Sequence, residues 1–335
     1  MKMAGKRVTL QDIAQATGYT INTVSRALQN KPDIGRETCL RIQQTAHEMG
    51  YVRNFMASSL RSGRTRTIAM IAGSLVNPFY AILADLIQGE ALRLGYSLMI
   101  LSSREDPEIE TQAVKMALSR QVDGVLITPC SFDSPALSLL YSSGIPFVLL
   151  SRYKEGLPHD YVICNDEYGG YLAGRHLLEH GHRKLGMLSL HHVVFSTKRR
   201  FDGFQRACLE ADLPVESIPY AEPETDAALR ECLQCWCAAG ITGLFCFSDL
   251  EAWRVIDLLT EAGVSVPENV SVIGFDNIQK YTGFANPICS IDPGLMEEAR
   301  IAIDLLRNRI HNPSLPPQQV ILPVSLVCRG SCGKQ

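Results

Sequence analysis

Two short helix patterns separated by a glycine open this chain and restrict its N-terminal fold more than any other feature. Thr9 can cap a first helix, with Asp12 three residues later, and Gly18 ends the pattern because glycine readily adopts the positive φ of a tight turn. Thr20 can cap a second helix. Apolar residues recur at helical spacing in both: Leu10, Ile13, Ala14 and Ala16, then Ile21, Val24, Ala27 and Leu28. This arrangement is typical of a helix-turn-helix, whose second helix enters the DNA major groove.

The charge distribution supports a nucleic-acid partner for the same region. Residues 1–66 contain eleven lysines and arginines but only four acidic residues, whereas the remainder contains twenty-one against thirty-one. A basic head on an acidic body indicates a DNA-binding module joined to a body of different function.

Two more helical segments complete the N-terminal region. The spacing predicts a third helix from about Arg36 to Met49, with Gly35 as N-cap and Gly50 as its end. Asn54 can then cap one short helix from Phe55 to about Arg61, within a basic linker. These segments predict a hinge between the head and the rest of the chain.

From residue 67 onward, short apolar runs alternate with helical stretches. The runs are TIAMIAG, SLMILSS, DGVLITP, IPFVLLS, RKLGMLSL, ITGLFCFS and VSVIGFD, and the helical stretches between them include 79–94, 106–120, 166–180, 197–211, 225–238 and 249–262. Such runs are typical of strands buried on both faces of parallel sheets. A division near 164–165 predicts two doubly wound α/β lobes, with a helix and two short strands in 293–328 returning across both.

The sequence lacks the signatures of several other protein classes. No apolar stretch is long enough to span a bilayer and no signal peptide is recognisable, so a cytoplasmic protein is expected. The main alternative is an α/β enzyme with a DNA-binding head, but nucleophile-elbow, phosphate-loop and dinucleotide-binding glycine motifs are all missing from the sequence. A solute-binding protein is a third possibility, which the basic head opposes.

The cysteines and histidines give no metal-binding pattern. Eleven cysteines are scattered through the chain. Cys232, Cys235 and Cys237 are close in sequence, but on a helix residues five apart do not share a face, so reduced thiols are favoured over a zinc site. No metal and no cofactor is expected.

Several motifs in sequence order resemble those of the lactose-repressor (LacI/GalR) family of bacterial transcription regulators. VTLQDIAQATGYTINTVSRAL resembles the family's head-piece signature, and DGVLI, GRHLLEHGHRKLG, RFDGF, VPENVSVIGFDN and LPVSLVCRGS resemble its core signatures. The resemblance implies a sequence-specific repressor, not an enzyme, with a periplasmic-binding-protein-like core. It implies a homodimer on a pseudo-palindromic operator and a small-molecule effector, with a sugar or sugar derivative favoured over a purine-type ligand.

The resemblance also divides the chain into parts. It implies a head at 1–53, a hinge at 54–66, a first lobe at 67–164 with 292–322, and a second lobe at 165–291 with 323–335. Two positions depart from the family pattern: Arg53 stands where proline is common, and Cys164 where aspartate is usual. The family's leucine-heptad tail is missing, so a dimer rather than a tetramer is expected.

By resemblance, the candidate DNA contacts fall into three groups. Ile21, Asn22 and Arg26 on the second helix are expected to contact bases, since arginine suits guanine and asparagine suits adenine. The expected contacts to the DNA backbone are Thr9, Thr20, Thr23, Ser25, Arg53 and Arg61. Leu60 is expected to wedge between base steps from the minor groove.

The effector is expected in a cleft lined by the C-terminal ends of strands. The candidates are polar or aromatic residues that follow apolar runs: Asn77, Phe79, Arg152, Arg200, Asp249 and Asp276. Their matching positions in the family single out Arg200 and Asp276. The alternative for the polar candidates is a loop salt bridge or a helix N-cap, and Asp249 could equally be such a cap.

Overall fold

The computed structural model describes residues 8–52, 63–153, 158–189, 195–283 and 286–334. The chain forms two compact units, the head at residues 1–65 and the core at residues 66–335. Within the described part, no helix has the length and apolar character needed to cross a membrane.

The head contains three helices around a small apolar core. They are α1 (Leu10–Thr17), α2 (Ile21–Ala27) and α3 (Arg36–Glu48). Thr9 forms the predicted capping box with Asp12, and Gly18 ends α1 with φ of 77°, which confirms the tight turn. The helices pack through Ile13, Val24, Ala27, Ile42 and Ala46.

The core is built on two six-stranded sheets. The first has the order β11-β5-β4-β3-β1-β2 and the second the order β12-β10-β9-β8-β6-β7. All neighbouring strands are parallel except β12 and β10. The strands are β1 (Thr67–Ala72), β2 (Ser97–Ser102), β3 (Gly124–Ile127), β4 (Phe147–Leu150), β5 (Tyr161–Cys164), β6 (Leu185–Leu188), β7 (Tyr220–Ala221), β8 (Gly243–Cys246), β9 (Ser271–Phe275), β10 (Cys289–Asp292), β11 (Gln319–Leu322) and β12 (Ser325–Val327).

Helices cover both faces of each sheet. They are α4 (Pro78–Arg93), α5 (Pro107–Ser119), α6 (Pro135–Ser143), α7 (Asp166–Glu179), α8 (Phe195–Leu209), α9 (Asp226–Ala238), α10 (Asp249–Glu261) and α11 (Leu295–His311). Four buried apolar clusters fill the spaces between sheets and helices. The seven apolar runs are all strands, which confirms the doubly wound α/β prediction.

The final segment connects the two lobes as the sequence predicted. We call the first sheet and its helices α4–α6 and α11 the first lobe, and the second sheet with α7–α10 the second lobe. Helix α11 packs against α4 and β3–β5. Strand β11 then joins the first sheet, and β12 joins the second.

Glycines allow α7 and α8 to pack at backbone contact distance. A Cβ atom on Gly170 would lie 1.8 Å from the carbonyl oxygen of Arg200, and one on Gly203 would lie 1.8 Å from that of Glu167. Only glycine fits either position without moving a backbone. This close packing brings Asp166, the first residue of α7, beside Arg200 on α8.

Candidate functional sites

The three residues expected to contact bases lie on or near the exposed face of α2. Ile21 is 48% exposed, and Asn22 and Arg26 are also exposed. Arg26 Nε donates to Asp33 Oδ2 at 2.8 Å. This hydrogen bond lowers the pKa of Asp33. Both partners are close to half exposed, so the pair contributes little to stability and its separation would cost little.

The small polar residues of the head are hydrogen-bonded within their own helices. The Thr9 hydroxyl donates to Asp12 Oδ2 at 2.7 Å. Thr20 caps α2 by accepting from the backbone N–H of Thr23 at 3.1 Å, and Gln29 donates to Ser25 Oγ at 3.3 Å. The described geometry gives Thr9 and Thr20 a capping role.

The hinge candidates fall outside the part of the chain that the structure describes. Arg53, Leu60 and Arg61 lie within the undescribed stretch 53–62. Their roles stay predictions.

A buried ion pair lies at the C-terminal edge of the second sheet. Arg200 Nε donates to Asp166 Oδ1 at 2.8 Å, and Nη1 donates to the carbonyl oxygen of Phe247 at 2.5 Å. The guanidinium carbon lies 3.4 Å from the ring centroid of Phe275 and 4.3 Å from that of Phe247. These contacts hold Arg200 in one orientation, since charge-assisted hydrogen bonds and ring stacking both restrict its plane.

Asp276 and Asp249 add two more buried carboxyl groups beside this pair. Asp276 directly follows β9 with φ of 104°, a conformation that costs energy for a residue with a side chain. Burial raises the pKa of Asp276 well above its ordinary value, although Arg200 acts in the opposite direction and Asp249 adds to the increase. The raised pKa favours the protonated form of Asp276, which can donate as well as accept a hydrogen bond.

The two oxygens of Asp249 have partners within the second lobe. Its Oδ2 accepts from the backbone N–H of Ile278 at 2.8 Å, and its Oδ1 accepts from Ser290 Oγ at 2.5 Å. Burial raises its pKa to about 7 against these hydrogen bonds. Asp249 thus fixes the turn that carries Asp276.

The first lobe places a second arginine at the corresponding edge of its sheet. Arg152 donates from Nη1 to Glu105 Oε2 at 2.7 Å and from Nη2 to Glu105 Oε1 at 3.1 Å. The Tyr80 hydroxyl donates to the same carboxylate at 3.2 Å. Phe79 packs edge-on against Tyr80, and Asn77 caps α4 by accepting from the backbone N–H of Phe79 at 3.0 Å.

The two edges face each other across the core. Burial raises the pKa of Tyr80, and the charge of Asp276 in the other lobe adds to the increase. Burial also raises the pKa of Asp166, and Arg200 and then Arg152 of the other lobe oppose that increase. These charge effects, of Asp276 on Tyr80 and of Arg152 on Asp166, indicate that the two edges approach each other, because Coulomb interactions weaken with distance.

Sequence reasoning missed the partners of the two arginines. Glu105 follows strand β2 and Asp166 follows strand β5, so the strand-end rule that selected Arg152 would have selected both. Cys164, which replaces the usual aspartate of the resembled family, lies with its Sγ 3.5 Å from Asp166 Oδ1. It therefore contacts the carboxylate that pairs with Arg200.

Comparisons with known proteins agree with both parts of the fold. Residues 9–54 match the family model described as bacterial regulatory proteins, lacI family. Residues 175–332 match a periplasmic binding protein-like domain. The chain is 31% identical over 330 residues to the HTH-type transcriptional regulator DegA of Bacillus subtilis (strain 168), covering 97% of this chain and 98% of DegA. It is 29% identical over 328 residues to the HTH-type transcriptional repressor PurR of Actinobacillus pleuropneumoniae serotype 3 (strain JL03), covering 96% and 98%.

Solved structures share the architecture. The Lac repressor dimer bound to operator and the anti-inducer ONPF superimposes with a TM-score of 0.82 at 22% identity, covering 97% of this chain and 99% of that one. A LacI family regulator from Enterococcus faecium with bound ribose superimposes with a TM-score of 0.72 at 25% identity, covering 80% and 99%.

Proposed function

Since this chain belongs to the lacI family of bacterial regulatory proteins and is a DNA-binding transcriptional repressor, we propose that an uncharged sugar or sugar derivative sets its affinity for DNA. We further propose that it acts as a homodimer on a pseudo-palindromic operator and has no catalytic step of its own. The structural relatives support this proposal, because one is a repressor dimer on its operator and another contains ribose. A regulator of bacterial genes is expected to work in the cytoplasm.

The pairing of both cleft arginines is the observation that carries the choice of ligand. Arg152 is neutralised by Glu105 and Arg200 by Asp166, so neither offers an uncompensated positive charge to a phosphate or carboxylate. Asp276 adds a buried carboxyl group that can accept a hydrogen bond and, when protonated, donate one. Ligand hydroxyls can donate to such carboxylates, and Phe79 offers an apolar ring face. This chemistry favours a neutral polyhydroxylated molecule over a sugar phosphate.

The predicted cleft residues divide into two proposed roles. Arg200, Asp276 and Arg152 would hydrogen-bond the ligand, with Phe79 beside them. Asp249 and Asn77 would act as positioning residues, because Asp249 holds the turn of Asp276 and Asn77 caps the helix that carries Phe79. A purine-type ligand is the second candidate, since nucleobase N–H groups could also donate to these carboxylates.

The proposed DNA contacts rest on the exposure of Ile21, Asn22 and Arg26 in the head and, for the hinge residues, on the sequence alone. Ile21, Asn22 and Arg26 would contact base edges in the major groove, and Arg53 and Arg61 would contact phosphates. Thr23 and Ser25 would supplement those phosphate contacts.

Leu60 would insert between base steps and bend the operator. Leu60→Ala should therefore remove a bend that a circular-permutation gel assay detects. Equal bending of DNA by the variant and by the unchanged protein would rule out the wedge.

A change in the arrangement of the two lobes would couple ligand binding to DNA binding. A ligand that contacts both lobes binds one inter-lobe geometry better than another, and only such a difference can shift an equilibrium. A change in lobe geometry would reset the spacing of the two hinges in a dimer. Short hinge helices are unstable alone, so this spacing can decide whether they form on DNA. The expected coupling is about 1–3 kcal/mol. We propose the same four parts for this mechanism: a head at 1–53, a hinge at 54–66, a first lobe at 67–164 with 292–322, and a second lobe at 165–291 with 323–335.

A thermal-shift screen followed by operator titration tests the proposal. The screen would compare neutral sugars, sugar phosphates, nucleosides and purine bases at equal concentration, since a ligand of the folded state raises the unfolding temperature. We expect a neutral sugar to give the shift and to change operator affinity. A shift by sugar phosphates alone would contradict the neutral-ligand proposal. A shift by purine bases would select the second candidate. A ligand that binds but leaves DNA affinity unchanged would contradict the coupling.

A further inference from the structure

Three side chains with metal-binding atoms meet in the second lobe, away from the cleft. They are His176 on α7, Cys289 at the start of β10 and Cys328 just after β12, and their donor atoms all lie within 4.8 Å of one another. The distance from His176 Nε2 to Cys328 Sγ is 3.7 Å. The antiparallel pairing of β12 with β10, and the packing of α7 on both strands, bring these distant parts of the sequence together.

A third cysteine, Cys332, is near this group in sequence but is not one of its members. Cys332 follows Cys328 by four residues, and its neighbour Ser331 accepts from the backbone N–H of Cys289 at 2.7 Å. Two thiols and one imidazole supply three of the four ligands of a tetrahedral zinc site, in which a water molecule can take the fourth position. A tetrahedral zinc ion with bonds of about 2.0–2.3 Å requires donor atoms about 3.5–3.8 Å apart, which the His176–Cys328 distance satisfies. Calcium and magnesium prefer oxygen ligands and do not match.

We propose that His176, Cys289 and Cys328 bind a thiophilic divalent cation, with Zn²⁺ preferred. The surroundings suit a thiolate site, because the backbone N–H of Arg329 donates to Cys289 Sγ at 3.4 Å. Cys289 is 1% exposed, whereas Cys328 is exposed. The buried side limits access of water, and the exposed thiol gives the ion a path of entry.

The site is separate from the ligand cleft. Cleft residues follow the C-terminal ends of the parallel strands, but Cys289 begins β10 and pairs with Ile273 inside β9. Cys332 Sγ lies 3.6 Å from the carbonyl oxygen of Val272 on the same side. A bound cation would therefore cross-link α7, β10 and the segment that follows β12. Its expected effect is stabilisation of the second lobe, independent of any proposal about the effector.

Cobalt and zinc titrations of the full-length protein test this site. The protein would be stripped with a chelator and kept reduced with a phosphine. Added Co²⁺ should give the intense visible bands of tetrahedral coordination together with thiolate-to-cobalt charge transfer, and one Zn²⁺ per chain should displace it. Zn²⁺ should also raise the unfolding temperature. His176→Gln and Cys328→Ser should each weaken Zn²⁺ binding at least tenfold. Cys235→Ser, which changes an exposed cysteine on α9, is the matched control and should bind like the unchanged protein.

Three results would overturn the proposal. The first is a cobalt spectrum without thiolate charge transfer. The second is equal zinc affinity in Cys328→Ser and in the unchanged protein. The third is failure of the reduced protein to take up zinc, with peptide mapping of the unreduced protein showing a disulfide among Cys289, Cys328 and Cys332. Because Cys328 is exposed, its replacement by serine should leave the fold intact and the comparison interpretable.

Discussion

The head and the core each pair a candidate contact arginine with an aspartate, but the pairs differ sharply in exposure. The side chains of Arg26 and Asp33 in the head are 45% and 47% exposed. Those of Arg200 and Asp166 in the core are 7% and 7% exposed. An exposed pair separates at little cost, so Arg26 can exchange its partner for a base. A buried pair is fixed in advance and presents a rigid surface to a ligand.

The largest expected effect is the loss of the buried pair. Arg200→Ala leaves the Asp166 carboxylate without its cation inside the protein, which should lower the free energy of unfolding by about 3–5 kcal/mol. Urea unfolding measures this loss, and an operator titration with the identified ligand should show no ligand response.

Arg206→Ala on the same helix is the control for that experiment. Arg206 pairs with Glu167, and their side chains are 45% and 35% exposed. This pair should contribute at most about 1 kcal/mol to the free energy of unfolding. If Arg200→Ala and Arg206→Ala lowered the free energy of unfolding equally, burial would not distinguish the two kinds of pair.

One carboxyl group in each unit should contribute to the pH dependence of stability, and the two contributions should have opposite signs. Burial raises the pKa of Glu298 in the core from its ordinary 4.5 to about 7, against a hydrogen bond from Ser151. The folded state then binds more protons than the unfolded state, so this group lowers stability as pH rises from about 4.5 to about 7. The lowered pKa of Asp33 in the head acts in the reverse sense, and its contribution is lost as pH falls through the folded-state value.

Glu298→Gln tests the core contribution. Glutamine keeps the acceptor for Ser151 but cannot ionise, so the variant should gain stability relative to the unchanged protein between pH 4.5 and 7, by roughly 1.4 kcal/mol per unit of pKa shift. Glu297→Gln is the neighbouring control, because Glu297 is exposed beside Arg300 and its pKa is lowered. Parallel pH profiles for Glu298→Gln and the unchanged protein would contradict the assignment.

The base-contact proposal predicts a smaller change confined to specific binding. Arg26→Ala should weaken operator binding by about 1–3 kcal/mol and leave binding to random DNA nearly unchanged. Asp33→Ala removes only the partner of Arg26, so operator affinity should hold or rise slightly. Competition titrations at fixed salt give both values. Equal weakening on operator and random DNA by Arg26→Ala would reduce its role to a phosphate contact.

The smallest expected effect concerns the cap of α1. Thr9→Ala removes the capping box and should destabilise the head by about 1 kcal/mol. The salt dependence of DNA binding should stay the same if Thr9 only caps the helix. A smaller salt slope would instead support the phosphate contact that the sequence analysis expected.

Much of the architecture could be predicted because it depends on local patterns. The capping residues Thr9 and Thr20 and the apolar runs of the core specify their helices and strands within a few residues. Boundaries shifted where a cap intervened. The helix predicted from 106 begins at Pro107, because the Asp106 side chain caps it by accepting from the backbone N–H groups of Glu108 and Ile109.

The sequence predicted only some of the residues in the candidate sites. Arg152 was predicted because it follows an apolar run. Arg200 was predicted because it matches a position of the resembled family. Their carboxylate partners, Glu105 and Asp166, belong to other elements, and pairing between elements has no fixed sequence spacing. Asp249 was expected in the cleft, but its two oxygens hold the turn after β9.

The sequence by itself determined the helix-turn-helix head, the two α/β lobes and the family, because caps, periodicity and ordered motifs act over short distances along the chain. The tertiary structure alone decided which charges neutralise each other. The glycine contact between α7 and α8 fixes the Arg200–Asp166 pair, and the pairing of β12 with β10 gathers His176, Cys289 and Cys328. Such long-range contacts depend on how elements pack, and close packing leaves no trace in local spacing.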